Sequence, residues 1–281
     1  MFMSRFKPHH INATQDDLAG NHGIGRYIFL PGSEGRAKAI SQHFNNLTVN
    51  THPRGHNLYL GTIADGKKTI DVASIASGMG CPSMEIILHE LFHLGGKRFL
   101  RVGTAGSLQP EWVKLDDIIN AQATVRDEST SIDYMPLAVP AIASIDCTIA
   151  ILHAAKKLGL VNKVHTGTVH CKSSLYAREF GAGPKGQSHQ SYMNLLTQCG
   201  VLATEMETST LFIQSQRYNY QLSREGTGAQ YRVLCGAILG IIATPPNHFV
   251  PLDAEKTTMN NVINMALETV KTLSDRANEI G

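Results

Sequence analysis

Between residues 70 and 106 the chain switches from one hydrophobic period to another and back, and this restricts its possible folds more than any other feature. Ile70–Ile75 is an apolar, β-branched run, interrupted by Ser77-Gly78-Met79-Gly80. Met84, Ile87, Leu88, Leu91 and Phe92 then recur at the spacing of one helix face. Pro82 suits the first helical position, where its missing N–H would have no partner anyway, and Gly95-Gly96 stops the pattern. A second apolar run, Phe99–Val102, follows at once. The local order is therefore strand, glycine turn, helix, strand.

Further apolar runs at Tyr27–Leu30, Ile118–Ala121, Val164–Val169 and Val233–Ile242 are separated by turns or by segments of helical period. Helices are predicted over Ile145–Leu158, Met206–Gln214 and Ala254–Leu273. The pattern is that of an α/β domain with a largely buried sheet. With 281 residues and 42% hydrophobic content the chain can bury one substantial core, so residues 1–281 read as a single domain. Ser215–Gln230 is polar and reads either as an extended surface loop or as a helix extension with a turn. Gly181-Ala182-Gly183-Pro184-Lys185-Gly186 reads first as a plain connector, with a lid as the second reading.

Composition excludes several functions. Twenty-five basic residues against twenty-three acidic ones leave a formal charge of only +2, and no long run of Lys or Arg suggests a nucleic-acid surface. Met1–Gly25 lacks the apolar core of a signal peptide, and no apolar stretch approaches membrane-spanning length, so a cytosolic protein is expected. Cys81, Cys147, Cys171, Cys199 and Cys235 are scattered without a CxxC pair, which reads as reduced thiols rather than a disulfide or zinc framework.

Three glycine turns follow apolar runs: Pro31-Gly32-Ser33-Glu34-Gly35-Arg36, Ser77–Gly80 and Gly103-Thr104-Ala105-Gly106. Glycine lets main-chain amides approach an anion, and strand ends are where open α/β sheets place ligands. None of the three turns is a GxxxxGK[ST] loop or a GxGxxG with its acidic partner at dinucleotide spacing, which disfavours nucleoside triphosphate and NAD sites. Arg36 and Arg101 would put guanidinium groups near one strand edge, and their planar fork suits a small oxyanion such as phosphate. In Thr204-Glu205-Met206-Glu207-Thr208 two carboxylates flank a methionine at a strand-to-helix junction. They suit a pair of sugar hydroxyls, with Met206 on the ring; helix-start acids favoured by the macrodipole are the plainer reading.

Taken in order, Leu30–Arg36, Ser77–Ser83, Phe99–Pro110 and Glu205–Thr208 resemble the signature segments of the uridine phosphorylase branch of the nucleoside phosphorylase family. The resemblance runs from about Phe6 to Leu273. It implies a single-domain three-layer α/β/α fold with a central mixed, partly barrel-like sheet. It also implies phosphorolysis of uridine to uracil and ribose 1-phosphate, with no cofactor beyond phosphate as co-substrate. The phosphate cage would comprise Gly32, Arg36, Arg101 and Thr104, completed by Arg54 from a neighbouring subunit. His10 would reach from an N-terminal arm, residues 1–25, to the neighbour's ribose. Thr104, Met206 and Glu207 would hold the ribose, and Arg101, Thr104 and Glu207 would carry catalysis. A dimer assembled into a hexamer would follow from the shared sites.

Departures concentrate at the base. The family's uracil-reading Gln and Arg align with Glu179 and Gly181, so Arg178 and Glu179, with Glu205, become the candidate polar contacts and Tyr176 or Phe180 the stacking ring. Pro245 stands where uridine enzymes carry an arginine and purine enzymes an aspartate. The missing aspartate argues against the purine branch and against hydrolytic nucleosidases. A purine or broad-specificity phosphorylase and a nucleoside-binding protein without turnover remain the alternatives. A family potassium site would use the Met79 carbonyl and Ser83, but its glutamate aligns near Gly55, so no metal is assigned.

Overall fold

The structure, a computed structural model, describes residues 6–226, 228, 232–244, 248–249 and 251–280. The strands are β1 (Tyr27–Pro31), β2 (Asn45–Asn50), β3 (Leu58–Asp65), β4 (Lys68–Ser74), β5 (Arg98–Ser107), β6 (Ile118–Asp127), β7 (Ala141–Ile142), β8 (Val164–Lys172), β9 (Ala203–Glu205), β10 (Leu234–Thr244) and β11 (His248–Phe249). The helices are α1 (Gln15–Leu18), α2 (Glu34–Ser41), α3 (Cys81–His93), α4 (Thr130–Tyr134), α5 (Ile145–Lys157), α6 (Leu175–Arg178), α7 (Gly186–Gln198), α8 (Thr208–Arg224) and α9 (Leu252–Ile280).

The sheet runs β11-β10-β6-β8-β9-β5-β1-β4-β3-β2, and β10 also pairs with β5. That extra pairing closes β10, β6, β8, β9 and β5 into a small barrel, from which β1, β4, β3 and β2 extend as a wing. Parallel and antiparallel neighbours mix throughout. Helices α3 and α8 pack on one face, through Met84, Leu88, Leu91, Leu211 and Phe212. Helices α2, α5 and α9 pack on the other, through Ile40, Ala150, Ile151, Val262 and Ala266. The chain is thus a three-layer α/β/α protein around a mixed, partly barrel-like sheet, as the motifs implied.

Barrel closure corrects several element boundaries. Gly103–Gly106 is not a turn but the second half of β5, because it pairs with β10 and its end with β9. Gly103 and Gly106 let neighbouring side chains approach closely there: a Cβ on Gly103 would lie 2.7 Å from Leu239 Cδ2, and one on Gly106 2.8 Å from Glu179 Oε1, so those side chains would have to shift. The run at Ile118–Ala121 likewise continues to Asp127, since β8 pairs along its whole length. Of the two readings for residues 215–230 the helix extension holds as far as Arg224, where Tyr218 stacks on Phe92 of α3 at 3.8 Å. Gly181 and Gly183, both at positive φ, form the connector between α6 and α7.

Candidate active site

Strand β1 lies between β4 and β5 and runs parallel to both, so the segments that follow all three reach the same edge. Leu30 pairs with Arg101, which sets the Gly32–Arg36 segment beside the second half of β5. The Ser77 amide donates to the Pro31 carbonyl at 2.8 Å and draws in the third segment. A cavity of about 310 Å³ opens at this edge. Gly32, Ser33, Arg36, Arg101 and Thr104 line one end of it, Met79, Met206 and Glu207 its middle, and Lys172, Leu175, Glu179 and Phe249 the other end.

The first end is built for an anion. Arg101 is fully enclosed; its Nε donates to Glu205 Oε2 at 3.1 Å and its Nη2 to Glu207 Oε2. Its Nη1, equally buried, has no hydrogen-bond partner among the described residues. Burial alone would favour loss of the proton, but Glu207 and Glu205 together hold Arg101 above its ordinary value. Arg36, in the first turn of α2, fares differently: burial and the neighbouring Arg101 charge lower it to about 10. Its ion pair with Glu255, at 3.8 Å, compensates only weakly. Two crowded guanidiniums and one unsatisfied buried N–H beside the N-terminus of a helix are what an oxyanion would relieve.

The two glutamates divide their work. Glu205, the last residue of β9, is wholly buried: Oε2 also accepts from the Glu207 amide, at 2.9 Å, and both oxygens accept from the Thr208 amide. It thereby satisfies the first free amides of α8 and braces Arg101. Glu205 does line the cavity, but its oxygens are engaged by Arg101 and the amides of residues 207 and 208, an arrangement that favours a bracing role over the expected contact with the base. Arg101 and these amides keep its carboxyl below the usual carboxylate range against the opposing effect of burial. Glu207 accepts from the Gly80 amide at 2.6 Å and stays at the cavity wall. Burial, with Glu205 nearby, pushes it up despite Arg101. Its position between the anion end and the far end, with Met206 beside it, suits sugar hydroxyls.

At the far end β8 delivers His170 and Lys172 to one face, two residues apart. Lys172 is 2% exposed; its ammonium donates to Thr204 Oγ1 and pairs with Glu179 Oε2, both at 2.9 Å. Ser174 caps α6, which turns the chain so that Glu179 comes back over Lys172. Because Thr204 Oγ1 accepts from Lys172, its hydroxyl proton is free to donate to His170 Nδ1 at 3.0 Å. His170 Nε2–H then donates to Asp127 Oδ2 at 2.9 Å. That direction requires a neutral ring, and burial lowers the His170 pKa in agreement. Sequence reasoning missed Lys172, Thr204 and Phe249; the signal for Lys172 was a lone cation at the end of an apolar strand.

Other expected residues lie elsewhere. Tyr176 is 70% exposed and does not line the cavity, and Arg178 is turned away to Asp127, at 2.8 Å, and over the Tyr192 ring. Both are corrected as base contacts: the one-turn helix α6 brings Glu179 inward and leaves its neighbours outside. Phe180 lines an adjoining chamber of about 390 Å³ and meets Phe249 edge to face at 5.8 Å. His10 and Arg54 do not line the cavity of their own chain. Glu90 of α3 accepts from the His9, His10 and Ile11 amides and bonds the His10 ring at 2.8 Å, which fixes the arm. Ser83 Oγ is engaged by the Ser77 carbonyl at 2.7 Å, while the Met79 side chain is exposed. Pro245 lies outside the described residues.

One cavity at the sheet edge thus gathers two arginines, two carboxylates and a lysine–glutamate pair. The sequence pattern of the Phosphorylase superfamily matches residues 26–270, and the chain belongs to that family. It is 31% identical to a uridine phosphorylase of Treponema pallidum over 252 residues, covering 89% of this chain and 90% of the relative. A uridine phosphorylase of Escherichia coli is 26% identical over 276 residues, 96% and 100% of the two chains. A purine nucleoside phosphorylase DeoD-type of Streptococcus suis is 33% identical over a shorter stretch of 216 residues, 75% and 81%.

Proposed function

We propose that this protein is a nucleoside phosphorylase that converts uridine and inorganic phosphate reversibly to uracil and ribose 1-phosphate. The observation that carries this is the pair Arg36 and Arg101, one depressed by burial and by its neighbour's charge and the other holding a buried N–H without a partner among the described residues, in the wall of a cavity of about 310 Å³. A hydrolase would have no use for two guanidiniums at the position of the attacking group. Relatives named uridine phosphorylase along nearly the whole chain support the same choice of substrate.

Departure of the base leaves positive charge on the anomeric carbon. A caged phosphate both stabilises that charge and attacks the carbon, so no protein nucleophile is needed. Gly32, Arg36, Arg101 and Thr104 hold the phosphate, Glu207 and Met206 hold the ribose, and fixing the two substrates contributes several kcal/mol to the rate. Phosphate is the co-substrate, and the reading calls for no further cofactor.

In this reading residues 1–281 form one cytosolic domain, and two chains share their sites. That His10 and Arg54 lie away from their own cavity supports such sharing, with a dimer as the catalytic unit within a hexamer. Purified protein incubated with uridine and phosphate should release uracil and ribose 1-phosphate in equal amounts, and Arg101→Lys should lose most of that turnover. Folded wild-type protein that leaves uridine intact would contradict the proposal.

A further inference from the structure

The far end of the cavity holds a buried ion pair that the phosphate and sugar chemistry does not use. Lys172 has three N–H donors and directs two of them at Thr204 and Glu179. The third has no partner among the described residues, on a side chain that lines the cavity wall. Glu179 accepts Lys172 through Oε2, and its Oε1 lies against Gly106, where any Cβ would crowd it at 2.8 Å. A carboxylate offers about four lone-pair sites, so Glu179 retains acceptor capacity toward the cavity. The pair is held from behind: Lys172 donates to Thr204, Thr204 to His170, and His170 to Asp127, which Arg178 also grips. The donors of this line are thus engaged within the protein, apart from the remaining Lys172 N–H.

We propose that Lys172 and Glu179 read the leaving base: Glu179 accepts a ring N–H, and Lys172 donates to the adjoining carbonyl oxygen and stabilises the charge the base acquires on leaving. This rests on the nucleoside phosphorylase reading and deepens it by naming the base chemistry. The matching edge is a lactam, a carbonyl beside an N–H, as in uracil. Cytosine presents a ring-nitrogen lone pair at the position of that N–H, which would face the Glu179 carboxylate and be rejected. In the reaction a phosphate oxygen bonds to C1′ as the C1′–N bond breaks, and the electron pair goes to the base. The base anion, held against the Lys172 ammonium, finally takes up the proton that hydrogen phosphate brought in.

A residue that stabilises the leaving anion matters less when the base is intrinsically a better leaving group. Steady-state kcat/KM is therefore measured for uridine, 5-fluorouridine and cytidine on the wild type, Lys172→Met and Glu179→Gln. Lys172→Met should lower the value for uridine about 100-fold. Its loss on 5-fluorouridine should be smaller by about tenfold, since fluorine already disperses the charge. Glu179→Gln, which adds a donor, should reduce the wild-type preference for uridine over cytidine by about tenfold. Equal losses on uridine and 5-fluorouridine in Lys172→Met, or an unchanged uridine-to-cytidine ratio in Glu179→Gln, would overturn the proposal. Where Lys172→Met does not fold, the Glu179→Gln ratio decides. A wild type that consumes none of the three nucleosides would overturn the phosphorylase reading and this one with it, whereas an active wild type with equal losses overturns only this one.

Discussion

Arg101 shows how one residue can belong to the site and to the core at once. Its guanidinium bridges Glu205 and Glu207 inside the protein while leaving Nη1 without a partner among the described residues. Removing one member of such a buried cluster exposes the others to an uncompensated environment. Arg101→Ala should therefore abolish turnover and also destabilise the fold by about 3–5 kcal/mol, read by denaturant unfolding. Unchanged stability would show that Glu205 and Glu207 are solvated or protonated rather than held by Arg101. The sequence marked Arg101 as an anion ligand through the glycines around it. It could not show that the two carboxylates it meets lie about a hundred positions further on, because that contact arises only when β9 pairs with β5.

Strands β6, β8 and β9 are tied together at one end by the line Asp127, His170, Thr204, Lys172. Burial holds the His170 pKa below its ordinary value in the folded protein, while the unfolded chain protonates it near 6.5. Below that value the unfolded state binds the additional proton, so stability falls as pH drops, by up to about 1.4 kcal/mol per pH unit for this one proton. Unfolding followed from pH 7 to 5 should show a shallower decline in His170→Gln than in the wild type. Parallel curves would remove His170 from the set of groups that sense pH.

Legibility follows the same elements. Helix α3 and the strands beside it were readable because each apolar residue repeats at a local period. The second half of β5 was not, since Gly103–Gly106 has a turn's composition and is strand only by virtue of β10 and β9 on its flanks. At the base end, order along the chain misled: Tyr176 and Arg178 looked equivalent to Glu179, but a single helical turn separates what faces the cavity from what faces away. Lys172 was hidden because a buried ammonium is identified by its partners, which lie on other elements.

For the whole molecule, the fold brings Gly32, Arg36, Arg101 and Thr104 from β1, α2 and β5, and the Lys172–Glu179 pair from β8 and the end of α6, to the wall of one cavity. Phosphate as the attacking group is tested most directly by the initial rate of uracil release as phosphate is raised from zero. The expected curve starts at zero and saturates, with all the sugar recovered as ribose 1-phosphate. A finite rate without phosphate, with free ribose as the product, would contradict it.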